Sequence, residues 1–431
     1  MRKPASLLIL LLSCSVWVLP LTARAESPPA AEDVEQLKSQ LGLLQKRVAE
    51  MAARIEALEA KAASGVEPAA ETAAAPTPPT PPPTTAEVPP GAAGGGGPSG
   101  AVPLYGGASA SSKVFNPDIA VIGDFLGAAG REGEAGQPSL ELHEAELSFQ
   151  AVVDPYARAD FFLTVGPDEV GVEEGYITFP TLPGGFLAKV GKTRDVFGKM
   201  NGLHNHVLPF TDRPLVTRNL TGGEDGMGDY GITLSRLFPN PWLFLEATGQ
   251  VYRGRSTVFD GTKRGDLAYV GHLRAYRDVS ESSNLDLGGS FAHGSNDAGP
   301  GLHTRLLGVD ATYRWRPLRR AIYNRFLART ELVWSRREEP EGAREAFGFY
   351  ASGEYQFARR WFLGARYDHS DRAADPDLTD KGGSLLLTYW PSEFSQVRGQ
   401  YRRTRLGEGP TANELLFQFL FAIGAHGAHP F

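Results

Sequence analysis

The chain has 431 residues, 42% of them apolar and 22% charged, and a formal net charge of -7. That apolar share argues against a polytopic bundle of membrane helices, and no basic block stands out that would serve a nucleic-acid partner. The single cysteine, Cys14, cannot form a disulfide within the chain, and the 50 glycines suit strand ends, turns and tight bends.

Residues 1–25 read as a secretory signal. Arg2 and Lys3 precede an apolar stretch from Leu7 to about Leu21, and Ala23-Arg24-Ala25 is a small-x-small cleavage site. The rival places a lipoprotein cleavage site at Leu11-Leu12-Ser13-Cys14; the apolar run continuing past the cysteine favours the first. Cleavage after Ala25 leaves no cysteine, which suits an oxidising periplasm. Residues 26–64 predict a periplasmic α-helical coiled coil. Val34, Leu41, Val48 and Ile55 fall at heptad position a, and Leu37, Leu44, Met51 and Leu58 at d. The narrow stripe predicts a homo-oligomer through 34–58, with dimer and trimer both open. A lone amphipathic helix on a membrane is the alternative, opposed by the mixed charges of its polar face. Residues 65–113 form a disordered linker, Pro-rich from Pro76 and flexible at Gly94 to Gly97, that cannot build a core.

From 114 to 431 the chain repeats one unit: a stretch alternating apolar and polar, a turn, and another such stretch. Ala145, Leu147, Phe149, Ala151 and Val153 alternate with Glu144, Glu146, Ser148, Gln150 and Val152. A soluble sandwich also alternates. Here one side carries charge after charge and the other is rich in Leu, Phe and Ala, as when one face meets water and the other lipid. About sixteen strands are predicted, from 114–125 to 413–424. Tight connections follow the even strands, and longer ones mostly the odd, at 253–265, 336–345, 369–381 and 404–412. The fold class is therefore all-β: a transmembrane antiparallel β-barrel of about 16 strands, in the outer membrane of a Gram-negative-type envelope. Tyr313, Trp315, Phe357, Trp361 and Tyr389 beside the short turns suit an interfacial girdle, with Trp334 and Tyr401 nearer the other rim.

The connection at 195–228 is much the longest. It carries Asp195, Lys199, His204, His206, Asp212, Arg213, Arg218, Glu224 and Asp225. A barrel this wide leaves an aqueous channel unless something narrows it. Interior charges are predicted at Glu144, Glu146, Asp160, Glu174 and Lys189 early in the chain. Arg274, Arg314, Arg329, Arg366, Arg398 and Arg402 come late, interrupted by Asp310, Glu331, Glu354 and Asp368. Strand order maps onto angle, so an acidic wall faces a basic one, and opposed charges across a narrow pore set up a transverse field. The alternative for each charge is pairing with a wall neighbour. His204-x-His206, and His426 with His429, offer imidazole pairs but no regular ligand set, so no metal is predicted. His272 and His293 have no readable partners, and neither catalytic residues nor a cofactor motif is found, so the chain is not read as an enzyme.

The stretch Ala188-Lys189-Val190-Gly191-Lys192-Thr193-Arg194-Asp195-Val196-Phe197-Gly198 resembles the GK-x-(K/R)-x-x-FG stretch of porins of the phosphate-selective O/P type. Trp390-Pro391-Ser392-Glu393-Phe394 with Val397-Arg398-Gly399-Gln400-Tyr401 resembles their penultimate hairpin. The resemblance implies an outer-membrane porin for passive diffusion of small hydrophilic solutes, with outer-membrane lipid as its partner. It also implies that the connection after the fifth strand folds inward as a constriction of Lys199, His204, His206, Asp212, Arg213, Arg218, Glu224 and Asp225. An anion bias is expected from the late arginines, with the acidic early wall opposing it. A structural anchor held by its coil, and a substrate-specific phosphate or metal channel, are the alternatives. Gly427, His429 and Pro430 break the terminal alternation expected before Phe431, so the insertion signal is placed in Leu415, Phe417, Phe419, Phe421 and Ile423.

Overall fold

A computed structural model describes Lys46, which is helical, and residues 117–131, 139–167 and 170–424. The predicted signal, linker and terminal histidines, and the predicted coiled coil apart from Lys46, lie outside the described residues.

Sixteen strands follow one another. β1 (Asp118–Arg131), β2 (Leu140–Asp154), β3 (Ala157–Val165), β4 (Val170–Leu182) and β5 (Phe186–Arg194) come first. After a long connection follow β6 (Gly228–Leu237), β7 (Phe244–Tyr252), β8 (Ala268–Ser280), β9 (Ser283–Ser295) and β10 (His303–Trp315). The last are β11 (Arg325–Glu339), β12 (Gly342–Ala358), β13 (Trp361–Asp371), β14 (Thr379–Ser392), β15 (Ser395–Arg405) and β16 (Thr411–Gly424). Each strand is antiparallel to its neighbours, and β1 pairs with both β2 and β16, which closes the barrel. Closure pairs every strand edge, the condition for a sheet to cross lipid. Among the described residues no helix is long and apolar enough to cross a membrane.

The period-2 pattern distributes residues in the reverse of a soluble core. Leu273, Leu363 and Leu385 point outward, 52%, 55% and 60% exposed, while Glu146, Asp310 and Gln400 point inward at 1%, 1% and 0%. Water would penalise that outer belt and lipid would not. Trp361 stacks on Tyr389 at 4.5 Å, and Tyr313, Phe357, Trp334 and Tyr401 are exposed towards the strand ends, as a girdle requires.

Three expectations are corrected. The connection read at 336–345 is instead a hairpin turning at 340–341, because the charged alternation continues as strand. Arg336 pairs across it with Glu345 at 3.1 Å, and Gly342 takes the turn with φ at +135°. Second, the connection after β10, 316–324, is longer than this hairpin, so not every even strand ends in a tight turn. Third, the first strand runs on past 125 to Arg131.

Two bulges shape the interior. Asp124 pairs with Glu144 and Phe125 with Leu142, leaving His143 as the extra residue. Phe162 pairs with Glu174 and Leu163 with Val172, leaving Glu173 extra. A bulge interrupts alternation and re-aims side chains, so that both Glu173 and Glu174 reach inward.

Candidate channel interior

The segment 195–227 leaves β5 and folds into the barrel. Gly198 holds φ at +62°, and a Cβ there would stand 2.7 Å from the Glu331 carboxylate, so the turn requires glycine. The chain then docks on β9, β10 and β11. The amide of Gly198 donates to Ser290 Oγ at 2.9 Å, and the amides of Lys199 and Met200 both donate to Glu331 Oε1 at 2.7 Å. Lys199 Nζ pairs with Asp286 at 2.8 Å and stands 3.6 Å from Asp310.

It next reaches the acidic wall. His204 precedes a 3-10 turn, Asn205–Val207. Its Nδ1 lies 2.5 Å from Glu146 Oε2 and its Nε2 2.9 Å from Glu174 Oε2, while Phe162 packs edge-on at 5.0 Å. His206 Nδ1 lies 3.5 Å from Glu146 and 3.6 Å from Glu144. Burial lowers the basicity of both imidazoles, but the facing carboxylates outweigh it, Glu173 and Glu146 for His204 and Glu146 for His206, and both pKa values rise.

It then crosses to the basic wall. Asp212 accepts from Arg366 at 2.9 Å, Arg402 at 2.8 Å and Gln400 at 2.5 Å. Burial raises its pKa, but Arg366 and then Arg402 oppose this and hold the carboxyl below its usual range. Arg398 donates to the Leu208 carbonyl at 3.0 Å, and Arg366 stacks over the Phe210 ring at 4.4 Å. The short helix α1 (Leu215–Leu220) follows Pro214 and packs on β11, β12 and β13, with the Leu215 amide donating to Asp368 at 3.2 Å. The segment thus forms a strap whose charges complement the wall each part touches.

Apolar residues consolidate it. Phe197, Met200, Leu208, Phe210, Val216, Leu220 and Met227 form one buried cluster with inward Val270, Ala292, Leu306 and Val333. Phe259, from the connection after β7, joins them. These residues went unread in the sequence. The signal was a supposedly polar connection holding an apolar residue at every third or fourth position.

The expected charges are only partly as anticipated. Glu144, Glu146, Asp160 and Glu174 are buried inside, and Asp160 pairs with Arg158 at 2.8 Å. Lys189 is half-buried, with Nζ over the Tyr176 ring at 4.5 Å. The late arginines are not a free basic wall, because carboxylates and carbonyls have claimed most of them. Arg274 and Arg314 meet Asp286 at 2.7 and 3.5 Å, Arg366 also meets Asp368 at 2.7 Å, and Arg402 meets Glu414 at 2.7 Å. Arg398 also donates to Gln418 at 2.9 Å. Arg329 makes no guanidinium hydrogen bond or ion pair among the described residues and is half-buried. Within the strap, Arg213 braces the main chain, donating to the carbonyls of Met200 at 2.8 Å and Leu203 at 2.7 Å. Glu224 and Asp225 are exposed rather than in the crossing, and Arg218 pairs with Glu224 at 3.5 Å. Both sit where the strap returns to the rim, outside the packed part.

Asp195, at the strap's root, is 1% exposed, and burial followed by the neighbouring Asp229 raises its pKa to about 8. An unfolded aspartate titrates at about 3.9, so the penalty for ionising it in the fold grows from there to pH 8 and then levels. Asp195→Asn should therefore raise the urea midpoint at pH 8 and leave it nearly unchanged at about pH 4. An equal change at both values would place the proton elsewhere.

No family model matches the chain. It is similar to an uncharacterized protein of Aquifex aeolicus (strain VF5), 32% identical over an alignment of 393 residues that spans 74% of this chain and 81% of the relative. Its barrel is similar to an anion-selective porin from Comamonas acidovorans, with a TM-score of 0.50 and 11% identity over 71% of this chain and 99% of that one. The outer membrane channel DcaP of Acinetobacter baumannii aligns at a TM-score of 0.47 and 12% identity, over 72% and 96%. At 11% identity the likeness bears on the fold alone: a closed barrel of the porin kind.

Proposed function

The chain belongs to the same family as the uncharacterized Aquifex aeolicus protein, and for this barrel we propose an outer-membrane porin for passive diffusion of small hydrophilic solutes, narrowed by the strap 195–227. The observation that carries the proposal is the inverted barrel: an apolar belt outside, and a charged interior crossed by a strap that leaves some interior charges half-buried. A sealed scaffold has no need of partly wetted charge within its walls, whereas a water-filled passage does. We place the long connections outside the cell and the N-terminal segment in the periplasm. The chain would associate through residues 34–58.

A weak anion bias is part of the same proposal. It rests on Lys189 and Arg329, half-buried on the inner face, and no longer on Arg366, Arg398 and Arg402, which the strap engages. In planar bilayers under a salt gradient the wild type should pass stepwise current that reverses on the anion side. Lys189→Glu with Arg329→Glu should move the reversal towards cations, more at low salt, where screening is weaker. An unmoved reversal potential would remove the bias from these residues.

One observation favours a second reading. The apolar cluster between the strap and Val270, Ala292, Leu306 and Val333 fills part of the interior with side chains that repel water. A barrel sealed there would serve as an envelope anchor. It would carry no current at all.

A further inference from the structure

We propose that His204 and His206 of the strap, with Glu146 and one carboxylate of Glu144 or Glu173 of the wall, form a four-coordinate binding site for a divalent transition metal of the zinc kind. The proposal concerns binding by the folded chain and stands whether or not the barrel conducts.

The geometry is that of a ligand shell. Tetrahedral zinc holds nitrogen and oxygen ligands at about 2.0–2.2 Å, which places neighbouring ligand atoms roughly 3.4 Å apart. His204 Nδ1 and Glu173 Oε2 are 3.4 Å apart, His206 Nδ1 and Glu146 Oε2 3.5 Å, and His206 Nδ1 and Glu144 Oε1 3.6 Å. One ligand atom each from Glu146, His204 and His206 falls within 4.8 Å of the others. Only His204 Nδ1 and Glu146 Oε2, at 2.5 Å, are too close to share a metal. That separation is a hydrogen bond, and a cation replacing its proton would open it by about 1 Å.

Two features set the cluster apart from an ordinary ion-pair patch. His204 Nε2 faces Glu174 Oε2 at 2.9 Å, and the Arg194 amide fixes the other Glu174 oxygen at 2.8 Å. A carboxylate on the far nitrogen is the usual support of a metal-bound histidine, because it sets the tautomer that turns Nδ1 towards the ion. In addition, Glu144 Oε1, Glu146 Oε1 and Glu173 Oε2 are buried without a hydrogen bond among the described residues. Buried carboxylate oxygens demand a partner, and one oxygen each of Glu144, Glu146 and Glu173 lies within 4.8 Å of the others. No regular ligand set stands beside His204-x-His206 in the sequence. The missing ligands come from β2 and from the bulge in β4, more than thirty residues away in the chain, which brings them together only once the strap has docked.

The test uses the full chain, folded in detergent with folding confirmed by heat-modifiable gel mobility. After incubation with zinc chloride and desalting, metal analysis should find one zinc per chain. His206→Ala should lose it, His293→Ala, in a distant part of the wall, should keep it, and Glu174→Gln should weaken affinity by about 10–100-fold. Cobalt in place of zinc should give the visible absorption of a tetrahedral site in the wild type, a readout that needs no variant to fold. Failure of folded wild type to retain zinc or to develop that absorption would overturn the proposal. Retention by His206→Ala equal to the wild type would do the same.

Discussion

Deleting residues 203–222 should raise single-channel conductance several-fold. A pore is resistive at its narrowest point, and the strap reaches β9 to β11, then β2 and β4, then β13 and β15. Removing its middle frees a broad cross-section while leaving every strand pairing untouched. The Lys199 and Met200 amides would still satisfy Glu331, and the carboxylates and guanidiniums released from the strap would face water. Unchanged conductance would mean that the strap does not govern the passage.

A single side chain should produce a smaller effect of the same kind. Asp212 joins the strap to Arg366, Arg402 and Gln400, and all of these groups are buried. Removing one member of a buried ionic cluster costs on the order of 3–5 kcal/mol, since the remaining charges lose compensation. Arg366 retains Asp368 and Arg402 retains Glu414, which places the loss towards the lower end. Asp212→Ala should therefore loosen the strap without unfolding the barrel. The expected record has higher mean conductance and more open-channel noise, whereas the exposed Glu224→Ala should match the wild type. The pKa of Asp212 is depressed in the fold, so its contribution is full above the unfolded value of about 3.9 and fades only as pH falls through the lower folded value. Acidification to about pH 4 should leave this clasp closed. Asp212→Ala channels indistinguishable from wild type would show that the apolar cluster alone holds the strap.

Much of the barrel was legible because alternation is a local property. Each strand writes its inside and outside into neighbouring residues, as Leu385 and Ser384 do. The hairpin around 340–341 was misread because Arg336 to Glu345 is polar on both faces, and beyond the lipid belt a strand no longer needs an apolar side. The strap's position after β5 was readable from its length, but its docking was not. Asp212 and Arg366, or Lys199 and Glu331, lie more than a hundred residues apart, and no local pattern couples them. The arginines therefore looked like a free wall, although most were already partnered. Glu173 was missed for a different reason: strict alternation assigns it to the lipid side, and the bulge turns it inward. The apolar residues Phe197, Met200, Leu208 and Phe210 were visible throughout, and their frequency was the one local sign that this connection is packed rather than solvated.

The most direct test of the central claim is solute entry into liposomes containing the folded full-length chain. In isosmotic sugar solutions the vesicles should swell, quickly with a pentose and slowly with a trisaccharide, and deletion of 203–222 should reduce that difference. Vesicles that fail to swell in any sugar while the barrel is demonstrably folded and inserted would contradict a diffusion porin and leave the anchor in its place.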